Sequence, residues 1–350
     1  MVLQNKKLPE ENNRLDVLFL SDLPDNVTKY FTQKLKEFSS INLIFPNDRS
    51  DDKIEEIARK AQIIVGWRPT IKLLKKAKNL KLFIIPGTGV NHLITMFRKI
   101  NQTRKVLLAN GHGNSYFVAQ HAVSLLLSFM SKIIPHHLWM KEGIWRTGDE
   151  DAASIPLRFK KVGLLGYGAI NRKVHKFLMG FDIEFSIFRK DWSHQTTSLP
   201  TSVNKYSYPN IEDFLKEVDI LIIAVPVTDI TKKMIAIKEL EFLGSKGILV
   251  NVARGEIVDE EALYFALKDK TILGAAIDVW YEKKPKADKN GKKYPFHFPF
   301  QKLENVVLSP HRGYSPFKDL LRWDEVIENI IRLSQNRTDF INLVDLKEGY

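Results

Sequence analysis

Arg254, Asp278 and His311 each stand in a polar segment that directly follows an apolar run. Their side chains suit chemistry on a small acid. In Asn251-Val252-Ala253-Arg254-Gly255-Glu256, the Arg254 guanidinium is planar and permanently charged. It can grip a carboxylate in two places and polarise an adjacent carbonyl. A surface arginine in a turn gives the same pattern. Asp278 interrupts the apolar run Ile277-Asp278-Val279-Trp280. Burying a carboxylate is costly unless it is paired or hydrogen-bonded, so Asp278 is either a structural cap or a ligand-binding group. His311 lies in Ser309-Pro310-His311-Arg312-Gly313-Tyr314. Histidine titrates near neutrality and suits proton transfer, although taken alone it reads as a structural residue.

A fourth segment, Lys161-Val162-Gly163-Leu164-Leu165-Gly166-Tyr167-Gly168-Ala169-Ile170-Asn171, runs from an apolar strand into a glycine turn. This is how a dinucleotide-binding turn begins. Gly166 permits the tight turn, and Gly168 keeps a Cβ away from a pyrophosphate facing the helix N-terminus. The third glycine of G-x-G-x-x-G, which lets the helix pack close to the sheet, is replaced by Asn171. A strand–turn–helix connection that binds no nucleotide is the rival reading. Beyond the turn, Ile170, Val174, Phe177 and Leu178 share one helical face, and a second apolar strand follows at 183–188.

The elements that must carry these residues alternate along the chain. Strands are expected at 15–20, 41–45, 62–67, 80–85 and 106–109, with helices at 26–38, 51–60 and 71–77. A long buried helix is expected over 117–134, and the alternation restarts at 161. Later strands are expected at 220–225, 247–252, 272–279 and 306–308, with a last amphipathic helix over 323–334. Apolar runs divided by amphipathic helices imply parallel sheets covered on both faces.

Composition narrows the chemistry. The 350 residues suggest two domains, and 44% hydrophobic and 11% aromatic content can fill their cores. With no cysteine, disulfides, thiolate metal sites and a cysteine nucleophile are excluded, and a cytoplasmic location fits. The segment 1–13 is polar, without the apolar core of a signal peptide, and no membrane span is expected. The net charge of +12 could mark a nucleic-acid partner, but no binding signature accompanies it. A Lys-rich solvated surface is the reading preferred, with no nucleic acid and no metal.

Together these motifs resemble the D-isomer-specific 2-hydroxyacid dehydrogenase family, with glyoxylate/hydroxypyruvate reductases and phosphoglycerate dehydrogenases among its members. Pro86-Gly87-Thr88-Gly89-Val90-Asn91-His92 is similar to its substrate-carboxylate loop, with Asn91 for a usual Asp. Residues 110–127, including Val118-Ala119-Gln120-His121, resemble its long interdomain helix, with Gln120 at a usual Glu. Gly143-Ile144-Trp145 and Val225-Pro226-Val227-Thr228 with Thr231 follow in the family's order, as do Arg254, Asp278 and His311. The resemblance covers roughly residues 61–345.

It implies an α/β fold of two Rossmann-like or flavodoxin-like domains with parallel sheets. A cofactor domain, 111–311, would be inserted into a substrate domain, 1–110 with 312–350, and catalysis would need closure across the cleft. The implied reaction is hydride transfer between NAD(P)H and a small 2-keto or 2-hydroxy acid. His311 would be proton donor and acceptor. Arg254 would bind the carboxylate and polarise the carbonyl. Arg68 and the N–H groups of Thr88 and Gly89 would bind substrate. Gly166, Tyr167, Gly168, Ala169, Ile170, Val225, Pro226, Thr231, Val252, Ala253 and Gly313 would line the cofactor, and Asp278 would accept from its carboxamide. A homodimer is expected through the long helix.

Two departures stand out. The family's acidic partner of the histidine falls at Lys283, which leaves Glu282 or no residue for that role. The ribose-binding acid is also missing: Ile187 sits near its place, and Arg189 and Lys190 follow. That favours NADP(H), with NAD(H) as the other cofactor. Formate dehydrogenase and a nucleotide-sensing regulatory protein on the same fold are the rival functions.

Overall fold

The computed structural model describes residues 14–193, 198–314 and 319–350. Two compact units divide the chain: Met1–Asn114 with Phe317–Tyr350, and Ser115–Pro316. The elements run β1 (Leu15–Phe19), α1 (Asp25–Lys34), β2 (Ile41–Ile44), α2 (Asp51–Ala58), β3 (Ile63–Val65), α3 (Ile71–Lys76), β4 (Leu82–Ile85), α4 (Asn91–Asn101), β5 (Leu107–Asn110), α5 (Ser115–Met130) and α6 (Ile133–Lys141). They continue β6 (Lys161–Leu165), α7 (Asn171–Leu178), β7 (Glu184–Arg189), β8 (Asn204–Ser207), α8 (Ile211–Glu217), β9 (Ile220–Ile223), α9 (Ile237–Leu243), β10 (Ile248–Asn251), α10 (Glu260–Lys268), β11 (Gly274–Ile277), β12 (Val306–Leu308) and α11 (Asp324–Ser334).

In the first unit five parallel strands lie in the order β2-β1-β3-β4-β5, a flavodoxin-like arrangement. Alternate residues feed opposite faces, as the pleat requires. Val17, Phe19, Ile63, Val65, Leu82 and Ile84 pack with α1 and α11, where Phe31 meets Trp323 edge-on at 5.6 Å. Leu18, Ile64, Phe83 and Ile85 pack on the other face with α2, α3 and α4.

In the second unit seven parallel strands lie in the order β12-β11-β10-β9-β6-β7-β8. The chain order reverses between β6 and β9, which makes that edge the switch point where open α/β sheets bind ligands. Val162, Leu164, Ile222 and Val250 pack against α5 and α7. Leu221, Ile223, Leu249 and Ile277 pack against α8, α9 and α10. The two parallel sheets are those expected, and β8, Asn-Lys-Tyr-Ser at the sheet edge, is an addition.

The long helix is a correction. It ends at Met130, Lys132 adopts a left-handed conformation (φ 49°), and α6 departs at a bend of 61°. The first part buries Val118, Ala119, Ala122 and Leu126, whereas α6 buries nothing. Among the described residues no single helix is long and apolar enough to cross a membrane.

Asn171 has a physical role at the position where glycine was expected. It is fully buried, and its Nδ2 donates to the carbonyls of Gly166 (2.7 Å), Leu165 (3.2 Å) and Ile222 (3.3 Å). One amide thus ties the turn after β6 to β9. Its Oδ1 has no donor among the described residues, so the bracket carries a desolvation cost that the three carbonyl contacts offset.

Candidate active site

At the switch point, Gly166 has φ 81°, and a Cβ there would lie 2.5 Å from Val225 Cγ1. Both the left-handed backbone and the approach of the β9 loop therefore require glycine at 166. A Cβ at Gly168 would meet no protein atom within 4 Å, so the protein's own packing does not demand glycine there. Ala169 and Ile170 lead into α7. Tyr167, between the two glycines, is buried, and its hydroxyl lies 2.8 Å from His175 Nδ1. The opposite nitrogen, His175 Nε2, lies 2.8 Å from Thr201 Oγ1. Burial pushes the His175 pKa down to about 4 and raises that of Tyr167. A neutral, doubly bonded imidazole thus braces the glycine turn from behind.

Beside it, the loop after β9 is closed by Thr231. Its hydroxyl donates to Pro226 O (2.6 Å) and accepts from Thr228 N (2.8 Å). Val225 is half-buried and Pro226 exposed. At the end of β7, Ile187 is fully buried in the core. It therefore cannot stand in for a ribose-binding acid. The strand's last residue is Arg189, whose guanidinium lies 5.2 Å from the Trp192 ring centroid. Lys205 Nζ approaches the same ring at 5.0 Å, and Lys190 is exposed. Strand β7 thus ends in cations.

The loops after β10, β11 and β12 are tied to one another. Asn251, 1% exposed, accepts from Ala253 N (3.1 Å) and donates to Arg254 O (3.0 Å), shaping the loop that presents Arg254. Val252 and Ala253 are buried beneath it. A Cβ on Gly255 would lie 2.5 Å from Trp280 O, so this glycine permits contact with the loop after β11. Trp280 Nε1 then donates to Ser309 O (2.8 Å). Burial pushes the Arg254 guanidinium below its ordinary range, while Glu256 opposes the shift.

Asp278 is 2% exposed. Its Oδ1 accepts from Ser309 Oγ (2.5 Å) and Arg312 N (2.7 Å), and its Oδ2 accepts from Gly313 N (2.9 Å). His121 Nε2 of α5 lies 3.2 Å from Oδ1. Both oxygens serve the loop after β12, and Oδ2, with the Gly313 N–H as its one donor among the described residues, retains acceptor capacity for a carboxamide N–H. The Gly313 N–H is thereby taken. Burial raises the Asp278 pKa, but these donors outweigh it and hold the group below the ordinary carboxylate range.

His311, at the loop's apex, has φ 57° and stacks edge-on with Tyr314 at 5.3 Å. The residue as a whole is exposed, although partial burial of its ring displaces water. Displaced water lowers its pKa; Arg254 and Lys283 act in the same direction, and Asp278 opposes them. Glu282 is not brought to it. That side chain is exposed, and its Oε1 accepts from Lys284 N (2.8 Å). Lys283 pairs with Glu256 Oε1 at 3.1 Å.

In the first unit, Thr88 and Gly89 precede α4. Thr88 Oγ1 donates to Gly111 O (3.0 Å), and Asn110 Nδ2 donates to Thr88 O (2.9 Å). Arg68 is exposed, and the ring of its neighbour Trp67 covers Gly87. His121, Asn251, Trp280 and Ser309 were not singled out from the sequence, because single polar or aromatic residues in apolar surroundings carry no spacing signal.

Residues 123–313 match the family model described as D-isomer specific 2-hydroxyacid dehydrogenase, NAD binding domain. The chain is 29% identical over 291 residues to a D-3-phosphoglycerate dehydrogenase of Archaeoglobus fulgidus, covering 81% of this chain and 51% of that protein. It is 27% identical over 311 residues to a hydroxypyruvate reductase of Thermotoga maritima, covering 88% and 96%. The chain spans 51% to 57% of the length of three of the curated relatives it matches. A solved structure of a D-isomer specific 2-hydroxyacid dehydrogenase from Xanthobacter autotrophicus Py2, in complex with NADPH and MES, superposes with a TM-score of 0.76. It is 21% identical, and the match covers 97% of this chain and all of that one.

His175 gives a test of the brace behind the turn. Its pKa is depressed in the fold, so between pH 6.5 and about 4 the unfolded chain binds the proton more readily. The contribution is fully present above pH 6.5 and is lost as the pH falls through that window. The expected loss is about 3 kcal/mol. Urea denaturation across the window should show this loss in the wild type and a flatter profile for His175→Gln. Parallel profiles would remove His175 from the account.

Proposed function

The chain belongs to the D-isomer specific 2-hydroxyacid dehydrogenase family, and on that premise we propose that it interconverts a small 2-keto acid and its D-2-hydroxy acid. The observation carrying this reading is the cross-tied set of loops that presents Arg254 and His311 at the carboxyl edge of one sheet, next to the Gly166–Gly168 turn.

The residues fit a dinucleotide. The open space at Gly168 leaves room for a pyrophosphate beside backbone N–H groups, with Tyr167, Ala169 and Ile170 framing it. Val225, Pro226, Thr231, Val252 and Ala253 would line the nicotinamide end. A reduced nicotinamide supplies the hydride when bound. Arg254 holds the substrate carboxylate and draws electron density from the carbonyl oxygen. His311 gives its proton to that oxygen as the carbonyl carbon gains the hydride, and takes it back in the oxidative direction. The N–H groups of Thr88 and Gly89 donate to no group among the described residues, which suits them, with Arg68 nearby in the sequence, to bind substrate. The unit holding β1–β5 is proposed to bind substrate and the unit holding β6–β12 the cofactor.

A panel of 2-keto acids with NADPH and NADH, followed at the nicotinamide absorbance, tests the reading. Arg254→Ala should lower kcat/KM about 100-fold or more, the scale for one lost donor to developing charge, with cofactor affinity little changed. Near-normal turnover in that variant would remove Arg254 from the reaction.

The cofactor is proposed to be NADP(H) before NAD(H). Arg189 at the end of β7 offers a fork of donors to a 2′-phosphate, and Lys190 adds a point charge. Arg189→Ala should weaken NADPH about 10-fold, the scale of one charge-assisted contact, and leave NADH nearly unchanged. Equal use of both cofactors by the wild type at low concentration would refute the preference.

A homodimer is proposed through α6 and the segment after it. Leu138, Met140, Ile144 and Trp145 are exposed there at 54%, 54%, 47% and 75%, a patch too apolar to leave in water. Light scattering should give twice the chain mass for the wild type and the single-chain mass for Leu138→Asp with Trp145→Asp. A wild-type monomer would end the proposal.

A further inference from the structure

We propose that His121 of α5 is a positioning residue for His311, acting through Asp278 and Ser309; this rests on the proposed role of His311 in proton transfer. The two histidines do not touch. What joins them is a buried clasp whose proton arrangement follows from its donors and acceptors. Ser309 Oγ is 2.5 Å from Asp278 Oδ1 and donates to that carboxylate. The remaining acceptor on the hydroxyl then faces His121 Nε2 at 2.8 Å, and the same nitrogen lies 3.2 Å from Oδ1. His121 therefore carries its hydrogen on Nε2 and donates into the pair. Asp278, so fixed, receives the Arg312 and Gly313 N–H groups.

These two N–H groups immediately follow His311, and Ser309 lies two residues before it. The clasp thus holds the loop on both sides of its apex. The apex needs holding, because His311 sits at φ 57°, a left-handed conformation strained for a side-chain-bearing residue. Gly313 adds a steric link. A Cβ there would lie 2.9 Å from Asp278 Oδ2 and 3.3 Å from His121 Cδ2, so the ring of His121 rests on the bare face of this glycine. Helix α5 thereby fixes the loop by a hydrogen bond and by contact.

The clasp also takes a place the sequence leaves open. Among the described residues no carboxylate bonds His311, and the acid acting on it is Asp278, against Arg254 and Lys283. Orientation that a directly bonded acid would supply comes here from the backbone. Releasing His121 frees Ser309 Oγ to rotate and removes one donor from Asp278. The loop can then relax from its left-handed turn, and the imidazole leaves its working position.

Two readouts test this with the full-length protein. In steady-state reduction of a 2-keto acid, His121→Ala should lower kcat roughly 10- to 100-fold, the scale of a small misplacement of a reacting group. The NADPH dissociation constant, from nicotinamide fluorescence, should stay within about twofold, and His121→Gln, which keeps a donor, should recover most of the rate. In NMR titrations, the His311 ring signal, assigned by its loss in His311→Asn, should change its midpoint in His121→Ala. Should His121→Ala fail to fold, Ser309→Ala is expected to give the same pattern. An alanine variant with unchanged kcat and an unchanged His311 midpoint overturns the proposal, as does a loss confined to NADPH affinity. A wild type that reduces no 2-keto acid, yet whose His311 midpoint moves on His121→Ala, defeats the functional reading and leaves the clasp standing.

Discussion

A carboxylate that is 2% exposed must find donors or become neutral, and Asp278 finds four. That requirement organises the carboxyl edge of the second unit. The charge forms at the end of β11, and its donors come from the loop after β12 and from α5. Meeting its demand therefore folds three separate segments onto one point. Trp280 and Gly255 extend the same tie to the loop after β10, where Arg254 stands. The positions of Arg254 and His311 are thus a consequence of how a buried charge is satisfied. The sheet supplies only a platform with four-residue strands, too short to fix loop conformation by itself.

The glycine turn solves a related problem by other means. Backbone carbonyls exposed by the abrupt end of β6 need donors, and the amide of Asn171 supplies them from the first position of α7. A glycine there would bring the helix closer but give the carbonyls nothing. Tyr167 and His175 then fill the space behind the turn, with both ring nitrogens bonded, so that a polar pair is buried without an unpaired group. The turn is rigid on its protein side and open at Gly168 on the other.

The alternation of apolar runs and amphipathic helices made both parallel sheets legible, because a strand covered on two faces is apolar throughout. Strand β8 was not legible: Asn-Lys-Tyr-Ser is an edge strand held by pairing to β7, and pairing leaves no trace in composition. The end of the long helix was hidden for a different reason. Apolar residues continue through Ile133 and Ile134, and only the left-handed Lys132 shows that the second run leaves the core. Arg254, Asp278 and His311 stood out because each follows an apolar strand. His121 and Ser309 did not, since what defines them is distance across 188 positions of chain. Glu282 shows the converse limit, for adjacency to the expected position said nothing about which group its carboxylate would bond.

The surroundings of His311 bear on the proposed proton transfer. A directly bonded acid would stabilise the imidazolium and make it a poorer proton donor. In its place, burial of the ring lowers its pKa most, the Asp278 charge opposes that shift, and Arg254 and Lys283 lower it further. The net effect makes the protonated ring more acidic. A stronger acid transfers its proton more readily to a developing alkoxide, at the cost of a smaller protonated fraction at neutral pH. Glu256 limits the effect, since it pairs with Lys283 and also faces Arg254. Burial and the charges of Asp278, Arg254 and Lys283 together set the acidity of the ring, and the bonds of Asp278 to Arg312 and Gly313 hold the loop that carries it, so one carboxylate acts on both properties.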